Sequence, residues 1–458
     1  MDTIINEFNR VCQQPKTDER TVAKLECLKA MVELVASASP SPTYDASDAS
    51  RTEGHIVAHL ATWYALNVRN DQRQLPSAQE FRQLCSFKTH TSLFIQDYTR
   101  YLINNVMTSA VMRKCTVPSD VMYASLIGQC VGDALGFLVE GKSRQECTQY
   151  VHTFMANTHT IPTEIRCGFA YGQYSDDSEL AREAYIAYVQ NKGKLDPLVY
   201  GLRMSLLFQP NAFLIVGYGY TTANACIAIR EGKTCDISGS PQSSGNGSAM
   251  RSAPIGLLHN WEEIPAKARE CGALTHASPR CLDGSVLIAC ACRYIASTRN
   301  YPFDAEHFIK TLTTRCKDNT WATDMPLHLD RLLEKYKNKM GCMEVAEWVI
   351  SLGLADGESD WHGTIGCGVL QSTLWSIYCF MYHPDNFVAC MGLTIQPGGD
   401  VDTTAAMAGA LSGARVPLDR IPKAWIDPIN DKGEWGPTQL RTLVDNAYTL
   451  ANQNQNRN

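Results

Sequence analysis

Several features that would point to membrane or nucleic-acid proteins are missing from this 458-residue sequence. No uninterrupted apolar run approaches the roughly 18 residues that a membrane span needs, and the richest stretch, NAFLIVGYGYTTANACIAI, is broken by Gly, Asn and Thr. The first thirty residues have no basic start followed by an apolar segment, so we expect no signal peptide. The net charge is −6, which argues against a basic surface for nucleic acid.

Paired cysteine motifs are also missing, although the chain has 18 cysteines. They are scattered singly among Ala, Ile and Leu without a C-x-x-C pair, and the CAC at 290–292 fits neither a zinc site nor a redox motif. The pattern therefore predicts reduced, mostly buried thiols, and with them a cytoplasmic or nuclear location.

Strand-type alternation of Val, Ile and Thr is scarce, and no internal repeat is visible. Apolar residues recur instead at helical spacing, as in ELAREAYIAYVQ and VLQSTLWSIYCFMY. We predict an all-α domain over 116–450, a helical N-terminal extension over 1–115 with a flexible loop near 37–53, and a frayed tail over 451–458. In AAMAGALSGA (405–414) small residues occupy every face, which predicts a helix packed very closely in the middle of the core.

Two predicted helix starts carry dense acidic and hydroxyl groups. YGQYSDDSEL places Asp176 and Asp177 between two serines, where a helix cap would use only one of them. PGGDVDTTAAMAGA supplies a glycine turn and then Asp400, Asp402 and Thr403 as D-x-D-T. Surface capping is an ordinary alternative for either segment taken alone.

Together these starts supply four carboxylates and two hydroxyls, enough for two six-coordinate cations that share a bridging carboxylate. Burying four carboxylates without cations would be very costly, so a metal is the simplest way to neutralise them if the two starts converge. Oxygen ligands select Mg²⁺, Mn²⁺ or Ca²⁺ over zinc. The residues alone therefore predict a binuclear oxygen-ligand metal site.

A third acidic pattern lies in GQCVGDALGFLVEG, where Asp133 and Glu140 are separated by two helical turns. Both carboxylates share one face if the helix is continuous. The alternative is an Asp near a helix start and a Glu on the surface.

A glycine-rich loop, SSGNGSAMRSAPIG, precedes another predicted helix. Gly245, Asn246 and Gly247 leave backbone N–H groups uncovered, as in loops that cradle phosphate. An ordinary turn fits the same residues, with Arg251 as a structural partner.

All these segments, in this order, resemble the ADP-ribosylglycohydrolase family, of the dinitrogenase-reductase-activating glycohydrolase type. Its G-D-A-x-G…E, T-D-D-T, G-N-G-x-A-M-R, T-H and G-G-D-T-D-T motifs match GDALGFLVE, SDDS, GNGSAMRSAP, LTHASPR and GGDVDTTAAMAGALSGA. The resemblance covers roughly residues 118–430 and implies a compact orthogonal bundle of helices. LTHAS and GCGVLQSTLWSIYCFM look nearest to the vertebrate subgroup that cleaves serine-linked and polymeric ADP-ribose.

The resemblance also implies roles for individual residues. It implies two Mg²⁺ ions, with Mn²⁺ possible, that hold the distal ribose hydroxyls and a reactive water. The implied metal ligands are Ser175, Asp176, Asp177, Asp400, Asp402 and Thr403. The implied substrate-binding residues are Asp133, Ser244, Gly245, Asn246, Gly247, His276 and Gly368. A purely structural histidine is an alternative for His276. Ser175 and Val401 stand where relatives have Thr, and neither change predicts loss of metal.

The implied reaction is hydrolysis of the glycosidic bond at ribose C1, which releases ADP-ribose from protein side chains or related conjugates. Glu140, Asp176 or Asp177 would transfer the proton, and the sequence does not choose among them. The main alternative is a catalytically silent ADP-ribose reader or scaffold, whose N-terminal extension binds a protein partner. A Ca²⁺-dependent structural protein is a weaker alternative, because neither acidic segment has helix–loop–helix calcium spacing.

Overall fold

The computed structural model describes residues 116–208, 217–233, 238–317, 324–355 and 361–455. Within these ranges the regular structure consists of sixteen α-helices, one short 3₁₀ helix and a hairpin of two-residue strands, so the all-α class predicted from the sequence is confirmed. The described residues other than Asn300–Asp304 form one compact unit, and Asn300–Asp304 belong to a second unit. The predicted extension over 1–115, with its loop near 37–53, lies outside the described residues.

The helices before the glycine-rich loop are α1 (Ser119–Phe137), α2 (Arg144–Met155), α3 (Asp176–Gln190), α4 (Pro197–Leu207) and α5 (Tyr220–Arg230), and the strands β1 (Ile165–Arg166) and β2 (Phe169–Ala170) lie between α2 and α3. After the loop come α6 (Ala253–Leu258), α7 (Ile264–Ala273), α8 (Pro279–Thr298), α9 (Ala305–Lys317), α10 (Met325–Lys337) and α11 (Cys342–Ala355). The C-terminal helices are α12 (Val369–Tyr382), α13 (Phe387–Ile395), α14 (Val401–Arg415), α15 (Lys423–Ile426) and α16 (Pro437–Gln455).

The centre of the domain is the crossing of α1 and α14, the most extensive helix pair among the described residues. A Cβ added at Gly132 would lie 2.0 Å from the carbonyl oxygen of Ala405, and one at Gly128 would lie 2.3 Å from that of Gly409. The backbones therefore touch directly, which only glycine permits at these positions. Every residue of α14 is buried, so the prediction of a closely packed central helix is confirmed.

Other helices also follow their sequence patterns. The predicted helix VLQSTLWSIYCFMY coincides with α12, and ELAREAYIAYVQ lies within α3. One described helix, α8, has the length and apolar composition of a membrane span, but 89% of its apolar window is buried inside the domain. A buried core helix meets the same criterion.

Two further predictions concern the tail and the thiols. Helix α16 continues to Gln455, so the described part of the predicted frayed tail, 451–455, is helical. The thirteen cysteines in the described residues are all free, and ten of them are buried. The prediction of mostly buried thiols is thus confirmed for that part of the chain.

Candidate functional site

The acidic starts of α3 and α14 meet inside the domain. Asp176 and Asp177 belong to the first turn of α3, and Asp402 belongs to the first turn of α14 with Asp400 just before it. All four carboxylates are buried. The Thr403 hydroxyl of α14 lies 3.4 Å from Asp177 Oδ2 and links the two helices directly.

The start of α3 is held from two sides of its first turn. Ser175 is the N-cap, and its hydroxyl accepts a weak bond from the Asp177 N–H at 3.4 Å. Asp133 of α1 accepts the N–H groups of Ser175 and Ser178 at 2.9 and 3.0 Å, one on each carboxylate oxygen. The predicted capping role is therefore present. Asp133, predicted to bind substrate, binds the backbone that carries the acidic pair, and its substrate role stays a prediction.

Behind this turn, Arg182 anchors α3 in a buried ionic network. Its guanidinium donates to Asp431 at 2.9 Å and to Glu183 at 3.1 Å, and it stacks on the Trp435 ring at 4.9 Å. A buried charge of this kind is tolerated only with such partners. The network holds α3 just beyond its acidic start.

The start of α14 depends on the predicted glycine turn. Gly398 and Gly399 have φ of 78° and 93°, a conformation that favours glycine. The Asp400 N–H then donates to the Ile365 carbonyl at 2.9 Å, and the Asn246 side-chain amide donates to Asp400 Oδ2 at 2.6 Å. The phosphate-loop candidate and the D-x-D motif are thus in direct contact.

Glu140 reaches the same cluster by a different route from the one predicted. Helix α1 ends at Phe137, so Asp133 and Glu140 do not share one continuous helix, and the condition for a common face fails. Glu140 lies in the following turn, where Gly141 donates to the Gly399 carbonyl at 2.8 Å. Single oxygens of Glu140, Asp400 and Asp402 lie within 4.8 Å of one another.

Burial and mutual repulsion dominate the electrostatics of the cluster. Loss of water raises the pKa of Asp176, Asp177 and Asp402 well above the usual value, and neighbouring carboxylates raise it further. The same causes raise the pKa of Asp400 to about 6. Within the described residues, no Lys or Arg forms an ion pair with any of these four aspartates.

The loop at 245–247 is held tightly rather than left open. The Asn246 N–H donates to the Cys367 carbonyl at 2.9 Å, and Gly245 pairs with Gly368. The predicted uncovered amides are therefore partly used within the protein. Arg251 donates to the Gly247 carbonyl at 2.5 Å and to the Thr275 hydroxyl at 2.8 Å, so its role is structural.

His276 packs against this loop with its ring facing Gly247. A Cβ at Gly247 would lie 2.5 Å from the His276 ring, and the Thr275 hydroxyl lies 2.7 Å from Nδ1. Burial, followed by the nearby Arg251 charge, lowers the pKa of His276 to about 3. The imidazole is therefore neutral at physiological pH.

These elements enclose a cavity of about 290 Å³. The predicted site residues that line it are Glu140, Asp176, Asp177, Gly245, Asn246, Gly247, His276, Asp400, Asp402 and Thr403. Four predicted residues lie behind or beside it: Asp133 and Ser175 behind the start of α3, Gly368 beside the loop, and Ser244 in a second cavity of about 530 Å³. Ser244 and Pro279–Arg280 are among the residues that line this second cavity.

Eight of the eighteen lining residues were not predicted from the sequence. Among them, Tyr220 and Thr221 at the start of α5 and Trp361 in a loop belong to no recognisable motif. Arg166, the ion-pair partner of Glu140, was also missed. A Trp or Tyr in a loop gives no sign by itself that it borders a ligand site.

The chain is similar to several known proteins. The ADP-ribosylglycohydrolase family profile matches residues 117–457. The chain is 26% identical to ADP-ribosylhydrolase ARH3 of Homo sapiens over 321 residues, which covers 66% of this chain and 86% of the relative. It is 25% identical to the ADP-ribosyl-(dinitrogen reductase) glycohydrolase of Rhodospirillum rubrum, over 72% of this chain and 97% of the relative.

Two further matches extend the comparison. The ADP-ribosylarginine hydrolase Tri1 of Serratia proteamaculans is 22% identical over 69% of this chain and 78% of its own length. A solved structure, an ADP-ribosylglycohydrolase-related protein complex, aligns with a TM-score of 0.52 at 21% identity, over 73% of this chain and 98% of that chain. That likeness supports the fold. The profile covers most of the chain, so the protein belongs to the ADP-ribosylglycohydrolase family, whose members are glycosidase-type hydrolases.

Proposed function

We propose that the protein is a Mg²⁺-dependent hydrolase that removes ADP-ribose from modified protein side chains, with two metal ions at the junction of α3 and α14. The observation that carries this proposal is the convergence of Asp176 and Asp177 with Asp400 and Asp402 in one cavity, where no Lys or Arg among the described residues forms an ion pair with them. The glycine-rich loop borders the same cavity, and family membership supplies the ADP-ribose chemistry.

The residues present fit a hard divalent cation. The donors are carboxylate and hydroxyl oxygens, which such cations prefer. Asp177 Oδ1 is buried and has no hydrogen-bond partner among the described residues. An unpaired buried carboxylate oxygen is costly unless a cation satisfies it. Asp176, Asp177, Asp400, Asp402 and Thr403 would hold the metal, with Ser175 orienting Asp177 through a 2.9 Å hydrogen bond. When bound, the metal would offset the acidic charge and act as a Lewis acid toward oxygen groups of the substrate.

The two cavities suit an extended dinucleotide-like ligand. They adjoin the same loop, because Gly245 lines the first and Ser243 and Ser244 line the second. A ligand with two ribose units joined by a diphosphate could cross the loop and occupy both. Neutral His276 and the small Gly247 surface would sit beside the diphosphate without adding charge.

Glu140 is the best-placed group for proton transfer. Its side chain is 20% exposed, so it can exchange protons with water, whereas the four aspartates are buried. Glycosidic cleavage at ribose passes through an oxocarbenium-like state, and a neighbouring carboxyl group can protonate the departing atom or accept a proton from the attacking water. Asp176 is the second candidate, because its carboxylate borders the same cavity.

The test is incubation with arginine-linked, serine-linked and polymeric ADP-ribose, each with Mg²⁺ and with EDTA. Release of free ADP-ribose only with metal is expected for at least one substrate. D402N should abolish it, whereas D427N, at the residue that follows α15, should behave as wild type. ADP-ribose binding without any release would favour the silent reader, and release undiminished by EDTA or by D402N would refute the metal mechanism.

A further inference from the structure

Glu140 has a cationic partner, whereas Asp176, Asp177, Asp400 and Asp402 have none among the described residues. Arg166, on the short β1–β2 hairpin, forms an ion pair with Glu140 Oε2. Among the described Lys and Arg residues, Arg166 alone forms an ion pair with a member of the group Glu140, Asp400 and Asp402. The hairpin thus places one positive charge against the carboxylate nearest the solvent.

Arg166 is itself held firmly enough to act as a fixed support. Its guanidinium donates to the Phe137 carbonyl at 2.8 Å and lies 4.8 Å from the centre of the Phe137 ring. The hairpin pairs Arg166 with Phe169 in antiparallel register. The side chain is therefore fixed by the last residue of α1, three positions before Glu140.

Without this partner the position of Glu140 would be unfavourable. It lies in a turn at the protein surface, and the nearby carboxylates of Asp400 and Asp402 repel it. A flexible Glu in that position would turn toward water, because solvation of the charge outweighs a crowded anionic contact. An ion pair with a fixed arginine offsets this tendency and holds the carboxylate at the cavity.

We propose that Arg166 is a positioning residue that holds Glu140 at the cavity for proton transfer, so that it acts on the reaction only through Glu140. This inference rests on the proposed function. It predicts a loss in turnover rather than in ligand affinity, because Arg166 does not itself line the cavity.

The first test is a double-mutant cycle in kcat with R166Q, E140Q and R166Q/E140Q, on whichever of the three ADP-ribose substrates is turned over fastest. R166Q should lower kcat about 10- to 100-fold, the cost of a misplaced catalytic group. KM, and the affinity for free ADP-ribose by calorimetry, should stay within about threefold of wild type. R166Q should have no further effect in the E140Q background, and R166K should recover most of the loss.

Arg441 provides a matched control. It is an arginine of similar side-chain exposure, 36% against 30%, that contacts Asp120 at 2.6 Å and stacks on Tyr123 at 5.2 Å. R441Q should therefore leave kcat and KM unchanged. An equal loss from R166Q in both backgrounds, or a loss of ADP-ribose affinity, would overturn the proposal.

Hydrogen exchange supplies a readout that does not depend on activity. The amides of Gly141 and Lys142 are hydrogen-bonded in the turn that carries Glu140, to Gly399 and Val139. Their exchange should accelerate in R166Q and E140Q but not in R441Q. If wild type cleaves none of the substrates, the proposed function fails, and the exchange result still decides whether Arg166 holds this turn. Unchanged exchange of the Gly141 and Lys142 amides in R166Q would refute the proposal that Arg166 holds this turn.

Discussion

The sharpest prediction concerns the stabilisation of the protein by Mg²⁺ and its dependence on pH and Asp177. Mg²⁺ at about 100 times its dissociation constant should stabilise the folded state by about 2.7 kcal/mol. For a domain of this size the melting temperature should rise by about 5 °C. The control is the same protein in EDTA at matched ionic strength.

The size of the Mg²⁺ stabilisation at lower pH follows from the raised pKa values of the buried aspartates. Asp400 has a folded pKa of about 6 against an ordinary value of 3.8. Its proton stabilises the metal-free fold at low pH, and this contribution is lost as the pH rises through about 6. Mg²⁺ must displace that proton at pH 5, which reduces its benefit there by about 1.4 kcal/mol from Asp400 alone. The pKa values of Asp176, Asp177 and Asp402 shift in the same direction, so the benefit should be small at pH 5 and largest near pH 8.

D177N isolates the metal contribution. An asparagine can keep the hydrogen bonds that Ser175 and Thr403 make to Asp177 Oδ2 through its amide oxygen, while losing the unpaired charge of Oδ1. Thermal unfolding at pH 8 should show D177N at least as stable as wild type in EDTA but nearly insensitive to Mg²⁺. The exposed-site variant D427N should respond as wild type. Equal Mg²⁺ shifts in D177N and wild type, or a larger shift at pH 5 than at pH 8, would refute the assignment.

Three further predictions concern stability, and all are read by chemical denaturation. The pKa of His276 is about 3 when folded and near 6.5 when unfolded, so wild type should lose about 2 kcal/mol more than H276Q between pH 8 and pH 5. R182M should cost about 3 kcal/mol, because it removes the guanidinium that the buried Glu183 and Asp431 contact and leaves Asp431 paired only with Lys432, and R182M/D431N should recover part of that loss. G136A and G128A each force a methyl group to 2.3 Å from a carbonyl oxygen of α14 and should cost about 2–3 kcal/mol. Only G136A, beside the acidic start, should also reduce the Mg²⁺ shift.

Local patterns were enough to predict the elements that carry the site. The Ser175 cap and the Gly398–Gly399 turn are short-range features. A serine hydroxyl accepts a backbone N–H two residues on, and glycine adopts the positive φ that the turn requires. The small residues of α14 likewise predicted close packing, because nothing larger tolerates a helix on every side. The sequence did not predict that the two acidic starts converge. It predicted only that a metal would be needed if they did, because burying carboxylates without a cation is costly.

Partners distant in sequence could not be predicted in this way. Arg166 meets Glu140 across 26 residues, and Arg182 meets Asp431 across 249. Nothing near an arginine in the chain specifies which carboxylate it contacts. The end of α1 is a similar case, because LVEG is compatible with helix, and the turn there is held by the bond from Gly141 to Gly399 in a distant segment. The predicted common face for Asp133 and Glu140 failed for that reason.

Three residues of the G-D-A-x-G motif, Gly132, Asp133 and Gly136, explain the positions of the acidic starts of α3 and α14. Asp133 accepts two amides at the start of α3 and so fixes the acidic pair of that helix relative to α1. On the neighbouring turn, a Cβ at Gly136 would lie 2.5 Å from the Asp402 backbone, and one at Gly132 would touch Ala405. Helix α1 therefore sets the start of α3 through a carboxylate and the start of α14 through the absence of side chains. These contacts all come from residues 132–136 of one rigid helix. Helix α1 therefore determines the distance between Asp176–Asp177 and the pair Asp400 and Asp402. An Asp between two glycines at this spacing thus builds the cavity without lining it.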